Sequence, residues 1–217
     1  MNINPNAKRI LCYGDSNTWG WVPGEMGKKR FAINERWTGL VQKRLGNGFE
    51  IIEEGLGART TIFDDPRPEF PNRNGLESLG NILETYLPLD LVIVMLGTTD
   101  TKEMINKSAE EIGNGMREIV NFIKKFKCLE GTTPPKILIL VPPIVNDQTE
   151  FAAKLFKGAT EKTTYLVAEY KNIAQNERCL FLDPTHKINV DQNEGVHLTL
   201  ESHKKLAELV TGKIKEI

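Results

Sequence analysis

Apolar residues in this chain gather in short, uninterrupted runs, each followed by a loop and then by a stretch with helical spacing. The runs lie at residues 9–13, 49–53, 90–96, 136–141 and 180–183. Continuous rather than alternating apolarity is typical of strands buried on both faces, and the regular exchange of strand and helix indicates a parallel sheet. The pattern predicts a three-layer α/β/α domain.

Two helices are marked especially clearly. Ser108 and Glu111 have the spacing of a capping box, and apolar residues then recur at helical intervals up to Phe126. A final helix is predicted to begin near Thr199, with an apolar face that runs from Leu206 to Ile217. No repeat, low-complexity tract or linker divides the chain, so we expect one domain over residues 1–217.

Two long stretches, residues 59–75 and 142–160, show no regular pattern. In open α/β sheets, ligands bind beyond the carboxyl ends of the strands, where such loops lie. The stretches are therefore candidates for the walls of a site or for contacts between subunits, and the sequence leaves both roles open.

Composition narrows the classes of partner. The 217 residues contain 28 Lys and Arg against 29 Asp and Glu, a net charge of -1, so no basic field favours nucleic acid or an anionic membrane surface. Cys12, Cys128 and Cys179 are interpreted as buried free thiols in a reducing compartment. With no apolar signal segment at the N-terminus and no cluster of metal ligands, we expect a cytoplasmic protein without a metal site.

The end of the first apolar run carries a candidate nucleophile. Gly14 permits a tight turn, and Ser16 follows it at the carboxyl edge of the predicted sheet. Taken alone, Asp15 or Ser16 is explained better as the N-cap of a helix. Ser16 can act as a nucleophile only if a general base lies near it.

Glu194 and His197, three residues apart near the C-terminus, supply an acid and an imidazole. His197 follows the fifth predicted strand, so the topology brings it to the edge where Ser16 emerges. The combination predicts serine hydrolysis, with Asp183 and Asp191 as rivals to Glu194 for the acid.

Acyl transfer also needs hydrogen-bond donors for the negative oxygen that develops on the substrate. Backbone N–H groups of the glycine-rich turn at Gly57 and Ala58 are candidates, and Thr99 after the third strand is another. An ordinary turn or helix cap explains each segment nearly as well. Trp19 and Trp21 lie close enough to the serine to line a pocket, and core packing explains them equally well.

Together these segments resemble the four sequence blocks of the SGNH (GDSL-type) hydrolase superfamily. The blocks are Gly14-Asp15-Ser16, Gly57, Gly97-Thr98-Thr99-Asp100 and Glu194-Gly-Val-His197. The similarity is closer still to the bacterial arylesterase and acyltransferase branch, also known for perhydrolysis, and it covers nearly the whole chain. That likeness is carried by RILCYGDS at 9–16, WGWVP at 19–23, RWTG at 36–39, EEGL at 53–56, ARTT at 58–61 and LDLVI at 89–93.

The resemblance implies a flavodoxin-like, doubly wound domain with a five-stranded parallel sheet and an ester hydrolase that needs no cofactor. Ser16 would attack the ester carbonyl, His197 would carry its proton to the leaving alcohol, and Glu194 would hold the imidazole. The implied oxyanion donors are the backbone N–H of Ser16, that of Gly57 or Ala58, and the hydroxyl of Thr99. The resemblance also implies small esters as substrates, acyl transfer to another alcohol or to peroxide, and a homo-oligomer.

Three residues depart from the family's pattern. Thr99 stands where the family has an asparagine, Glu194 where the acid is usually aspartate, and Asn17 where this branch commonly has leucine. A threonine hydroxyl donates a hydrogen bond but is shorter than an asparagine amide, whereas a longer glutamate can still orient an imidazole. The candidates for a substrate pocket beside the serine are Asp15, Asn17, Trp19 and Trp21.

Two other functions stay open. The departures at Thr99 and Glu194 are consistent with an impaired relative that binds a small ester or sugar without turning it over. A more distant alternative is a nucleotide-binding protein, since Gly55-Leu-Gly57 follows a strand. Against it, Thr60 occupies the third glycine position and no Walker motif occurs.

Overall fold

A five-stranded parallel sheet forms the centre of the molecule. The structure, a computed structural model, describes residues 2–127 and 129–217. The strands are β1 (Lys8–Gly14), β2 (Phe49–Gly55), β3 (Leu91–Met95), β4 (Lys136–Leu140) and β5 (Leu180–Leu182). They lie in the order β2-β1-β3-β4-β5 with every neighbouring pair parallel. All five predicted strands are confirmed to within two residues at each end.

Helices cover both faces of the sheet. They are α1 (Ser16–Trp19), α2 (Trp37–Leu45), α3 (Gly75–Tyr86), α4 (Ala109–Lys125), α5 (Glu150–Leu155), α6 (Ala159–Asn176) and α7 (Leu200–Lys215). One core cluster joins strand residues such as Leu11 and Val92 to α3, α4 and α6. A second joins Ile10 and Ile93 to α2 and α7. The predicted doubly wound three-layer α/β/α fold is confirmed, and the strand order reverses between β1 and β3, where such sheets bind ligands.

Local sequence explains where two of the helices begin. The Ser108 hydroxyl accepts from the backbone N–H of Glu111, and the Glu111 carboxylate accepts from that of Ser108. These reciprocal bonds form the predicted capping box of α4. Thr199 caps α7 in a similar way, since its hydroxyl accepts from the N–H of Ser202. The final helix therefore starts where the sequence predicts.

Both long irregular stretches reach the carboxyl edge of the sheet. Residues 59–75 connect β2 to α3 without regular structure, whereas 142–160 contains the short helix α5, which the sequence pattern did not predict. Phe70 from the first stretch and Phe151 from the second line a cavity beside Ser16. The stretches are therefore walls of a cavity.

The sequence predicts buried free thiols at all three cysteines. Cys12 is buried in β1 and Cys179 is half-buried before β5, both with free thiols, whereas Cys128 lies outside the described residues. In the described part of the chain, no helix is both long and apolar enough to cross a membrane. Over residues 2–127 and 129–217, no group of three or more His, Cys, Asp or Glu side chains is arranged to hold a metal ion.

Candidate active site

Ser16 is the first residue of α1 and lies immediately beyond the end of β1. Asp15 caps this helix, because its carboxylate accepts from the backbone N–H of Asn17 at 2.8 Å. Gly14 is required by the close approach of its neighbours, since a Cβ there would lie 2.1 Å from the Thr18 hydroxyl and 2.9 Å from a carbonyl oxygen of β3. The N-cap role therefore belongs to Asp15, and Ser16 presents its hydroxyl at the edge of the sheet.

His197 lies between Ser16 and Glu194. Its Nε2 is 2.9 Å from Ser16 Oγ, and its Nδ1 makes a very short hydrogen bond with Glu194 Oε1. All three residues are buried, with 4 to 6% of their surface exposed. The two rival acids, Asp183 and Asp191, instead accept hydrogen bonds from groups in their own loops.

The Glu194 carboxylate is held in its charged form by hydrogen bonds. Its second oxygen accepts from the backbone N–H groups of Val196 at 2.9 Å and His197 at 2.8 Å. Burial alone would raise the pKa of Glu194, but the bonds from the His197 ring and from these N–H groups outweigh burial and lower it below its ordinary value. An ionised Glu194 favours a proton on Nδ1 of the imidazole, which leaves Nε2 as the acceptor that faces the serine.

The backbone around His197 is anchored to neighbouring loops. The carbonyl of Glu194 accepts from the Thr149 hydroxyl at 2.8 Å, and the carbonyl of His197 accepts from the N–H of Asp191 at 2.8 Å. Trp21 covers the imidazole, with the two rings stacked at 4.7 Å between centroids and 15° between planes. The position of the ring is therefore determined by its backbone and by its flat face.

The cavity beside Ser16 is small and largely apolar. Its free volume is about 70 Å³. The residues that line it beside Ser16 and His197 are Trp21, Ala58, Arg67, Phe70, Thr99, Lys102, Phe151, Leu155 and Phe156.

A buried ion cluster stabilises one wall of this cavity. The Asp65 carboxylate accepts from Lys102 Nζ at 3.0 Å and from Arg67 Nη2 at 2.6 Å. Burial alone would raise the pKa of Asp65, but these bonds hold it well below its ordinary value. Arg67 in turn packs over the ring of Phe70 at 4.0 Å. The cluster ties the stretch 59–75 to the turn after β3, so that the aromatic wall is held in position.

Ala58 and Thr99 line the cavity, whereas Gly57 does not. Ala58 has a φ of 64°, in the left-handed region that a residue with a Cβ adopts at a cost. The carbonyl of Gly57 accepts from Arg73 Nε at 2.8 Å. Among the described residues, the backbone N–H groups of Ser16 and Ala58 have no protein acceptor. The N–H of Gly57 likewise has no protein acceptor among the described residues, so of the two predicted donors Ala58 is distinguished by lining the cavity.

Asp15 and Asn17, which the sequence suggests for the substrate pocket, are instead buried beneath it, at 0% and 1% exposure. Their short polar side chains bind backbone groups and not the cavity. Trp19 is half-buried outside the cavity, where its ring packs against Trp21 at 6.4 Å and under the guanidinium of Arg30. Of the four candidates, Trp21 alone lines the cavity.

Several lining residues were not predicted from the sequence. They come from the two long stretches and from the turn after β3: Arg67, Phe70, Lys102, Phe151, Leu155 and Phe156. The signal that could have found half of them, the three phenylalanines, is the presence of large aromatic residues in segments that otherwise read as solvent-exposed loops.

Comparison with known proteins identifies the family and several relatives of known structure. The sequence model of the GDSL-like Lipase/Acylhydrolase family matches residues 12–205. Among solved structures, the aryl esterase of M. smegmatis is 41% identical, with a TM-score of 0.89 and a match that covers 97% of this chain and 99% of its own. A carbohydrate acetylesterase from Sinorhizobium meliloti is 37% identical, with a TM-score of 0.89 over 96% of this chain and 99% of its own.

A lipase/acylhydrolase from Enterococcus faecalis shares the fold, with a TM-score of 0.69 at 16% identity over 96% of each chain. No curated protein sequence matches the chain.

Proposed function

Because the chain belongs to the GDSL-like lipase/acylhydrolase family and is a carboxylic ester hydrolase, we propose that Ser16, His197 and Glu194 form its catalytic triad. The observation that carries this proposal is the 2.9 Å separation of Ser16 Oγ and His197 Nε2, with Glu194 bonded to the far side of the same ring. A serine hydroxyl needs such a base to become a nucleophile at neutral pH.

In the first half of the reaction, Ser16 Oγ attacks the carbonyl carbon of the ester and His197 Nε2 takes the hydroxyl proton. Glu194 stabilises the imidazolium that forms. The carbonyl oxygen becomes negative, and the N–H groups of Ser16 and Ala58 with the Thr99 hydroxyl bind it. The tetrahedral intermediate collapses when the alcohol leaves with the proton from His197, and an acyl-serine results.

In the second half, a water molecule gives a proton to His197 and attacks the acyl carbon. Collapse of this intermediate returns the proton to Ser16 and releases the carboxylic acid. An alcohol or a peroxide in place of water would take the acyl group instead, so transfer and hydrolysis share the acyl-serine intermediate.

We further propose that the substrates are small esters with short acyl groups. The cavity beside Ser16 offers about 70 Å³, between the walls of Phe70, Phe151 and Phe156. The two relatives above are an aryl esterase and a carbohydrate acetylesterase, which agrees with a short acyl group attached to a larger alcohol.

The test is a series of p-nitrophenyl esters of increasing acyl length, from acetate to octanoate, with the wild-type protein and Ser16→Ala. We expect kcat/KM to be highest for the shortest acyl groups and to fall by at least about 10³-fold in Ser16→Ala. Ser108→Ala, which removes a helix cap on α4, is the matched control and should keep its activity.

Hydrolysis that persists in a folded Ser16→Ala would contradict the nucleophile. A wild-type protein that binds the esters without turnover would favour the impaired relative instead. A flat profile across acyl lengths would contradict the proposed substrate class and leave the triad standing.

A further inference from the structure

Asn17 directly follows the serine, and its side chain reaches across to the segment that carries His197. Its Oδ1 accepts from the backbone N–H of Leu198 at 2.9 Å, and its Nδ2 donates to the carbonyl of Val196 at 3.5 Å. The two bonds thus hold the residues on either side of the histidine. Asn17 itself is 1% exposed.

We propose that Asn17 is a positioning residue that sets the distance between the nucleophile and its base. This inference rests on the proposed serine esterase function. It gives the residue after the serine a role in the geometry of proton transfer and not in contact with substrate.

The argument begins with how rigidly Asn17 is joined to the serine. One peptide bond links it to Ser16, and its backbone N–H donates to the Asp15 carboxylate at 2.8 Å. Its side chain has two torsions, both restricted by burial and by bonds at each end of the amide. Few flexible bonds therefore separate α1 from Val196 and Leu198, and a displacement of these residues relative to α1 is resisted for that reason.

Beside the contacts of the His197 ring with Ser16 and Trp21, two other anchors of the segment come from loops away from α1. Thr149 and Asp191 hold the carbonyls of Glu194 and His197, and both belong to loops that follow β4 and β5. They fix the segment relative to those loops. Asn17 fixes the segment relative to α1, the helix that carries Ser16. The position of the segment relative to α1 determines whether His197 Nε2 stays within hydrogen-bond distance of Ser16 Oγ.

In this chain the buried N–H of Leu198 has the Asn17 amide as its acceptor. Leucine, which the related arylesterase branch commonly has at this position, would fill a similar volume but offer that N–H no acceptor. The histidine segment, residues 194–198, packs here around the amide and would then relax away from α1. A misplacement of about 1 Å between reacting groups costs on the order of 10²-fold in rate, so a small shift is enough to be measured.

The decisive variant is Asn17→Leu, assayed with p-nitrophenyl acetate and by thermal unfolding. We expect kcat to fall by about 10- to 100-fold while KM changes by less than about twofold, because the substrate cavity is not lined by Asn17. Asn17→Asp, which keeps an oxygen for the Leu198 N–H, should retain more of kcat than Asn17→Leu. Asn17→Ala takes the place of Asn17→Leu where the latter does not fold.

Gln42→Leu is the matched control. The Gln42 amide also accepts from one backbone N–H, that of Ile51 at 2.8 Å, and its Nε2 donates to the backbone carbonyls of Phe49 at 3.0 Å and Gly46 at 3.1 Å. It lies on α2 near the start of β2, at the edge of the sheet opposite the serine. This variant should lose stability through the same kind of missing bonds but keep kcat within about twofold of wild type.

A crystal structure of the Asn17→Leu variant gives a second readout, independent of turnover. We expect the distance from Ser16 Oγ to His197 Nε2 to exceed about 3.5 Å, beyond hydrogen-bond range. An unchanged distance, a folded Asn17→Leu with wild-type kcat, or a loss no larger than in Gln42→Leu would overturn the inference. Absence of turnover in the wild type would count against the proposed function alone, and the crystallographic distance would still decide the role of Asn17.

Discussion

Glu194 and Asp15 are both buried carboxyl groups near Ser16, yet their pKa values are shifted in opposite directions. Glu194 belongs to the acid–base segment, residues 194–198, where three hydrogen bonds lower its pKa against the effect of burial. Asp15 belongs to a strand-end cluster, formed by Asp15 after β1 and by Thr98, Thr99 and Asp100 after β3. There burial dominates and raises the pKa of Asp15 to about 7.

The difference follows from how deeply each carboxyl group is buried and from how many donors it meets. Within the described chain, one oxygen of Asp15 and one of Asp100 have no hydrogen-bond partner. Asp100 accepts from the N–H and hydroxyl of Thr61 through its other oxygen, and burial still raises its pKa to about 6. Asp15 and Asp100 are buried completely, whereas Glu194 keeps 4% exposure and accepts three hydrogen bonds, so the depth of burial and the hydrogen bonds together set the direction of each shift. The acid–base segment therefore stabilises a charged carboxylate, whereas the strand-end cluster makes its two carboxyl groups easier to protonate.

The largest effect that tests this comparison is expected from Glu194→Gln. The amide has the same shape but can neither stabilise the imidazolium nor hold its tautomer, so kcat should fall by about 10²- to 10⁴-fold. Steady-state kinetics with p-nitrophenyl acetate gives the measurement. Asp191→Asn and Asp183→Asn are the controls, and a larger loss in either one would transfer the role of the acid to it.

Thr99→Asn tests the side of the strand-end cluster that faces the cavity. If the Thr99 hydroxyl reaches the oxyanion poorly, the longer amide should raise kcat for short acyl esters by up to about 10²-fold with little change in KM. Thr99→Val, which has nearly the same shape and no donor, should lower kcat instead. An unchanged or lower kcat in a folded Thr99→Asn would mean that the hydroxyl is already an adequate donor.

The smallest expected effect is a difference in the pH dependence of stability between Asp15→Asn and Glu194→Gln. For Asp15, whose pKa is 3.8 in the unfolded chain and about 7 when folded, the folded state binds the proton more tightly. Relative to Asp15→Asn, the wild type should therefore lose stability as the pH rises from about 4 to about 7.

For Glu194 the pKa is lowered on folding, so the sign reverses. Relative to Glu194→Gln, the wild type should lose stability as the pH falls below the ordinary glutamate pKa of 4.5. Urea unfolding of the three proteins across this range measures both trends. Two differences of the same sign would contradict the contrast between the acid–base segment and the strand-end cluster.

The parts of the protein that depend on neighbours in sequence could be predicted well. Strands buried on both faces require continuous apolar runs, and caps such as Ser108 with Glu111 lie within three residues of each other. The order of strands and helices brings Ser16 and His197 to one edge of the sheet, as the sequence predicts, and the four sequence blocks identify the family without coordinates.

Only the tertiary structure determines which side chains line the cavity at that edge and which contact the histidine segment instead. It puts Ala58 and not Gly57 in the cavity wall, gives Phe151 and Phe156 a site to line, and turns Asn17 away from the substrate toward the histidine segment. A pattern along the chain records which residues are apolar or able to bond. It does not record that the Asn17 amide will lie within hydrogen-bond distance of the Leu198 N–H, 181 positions later in the chain. That contact is determined by packing of the whole chain.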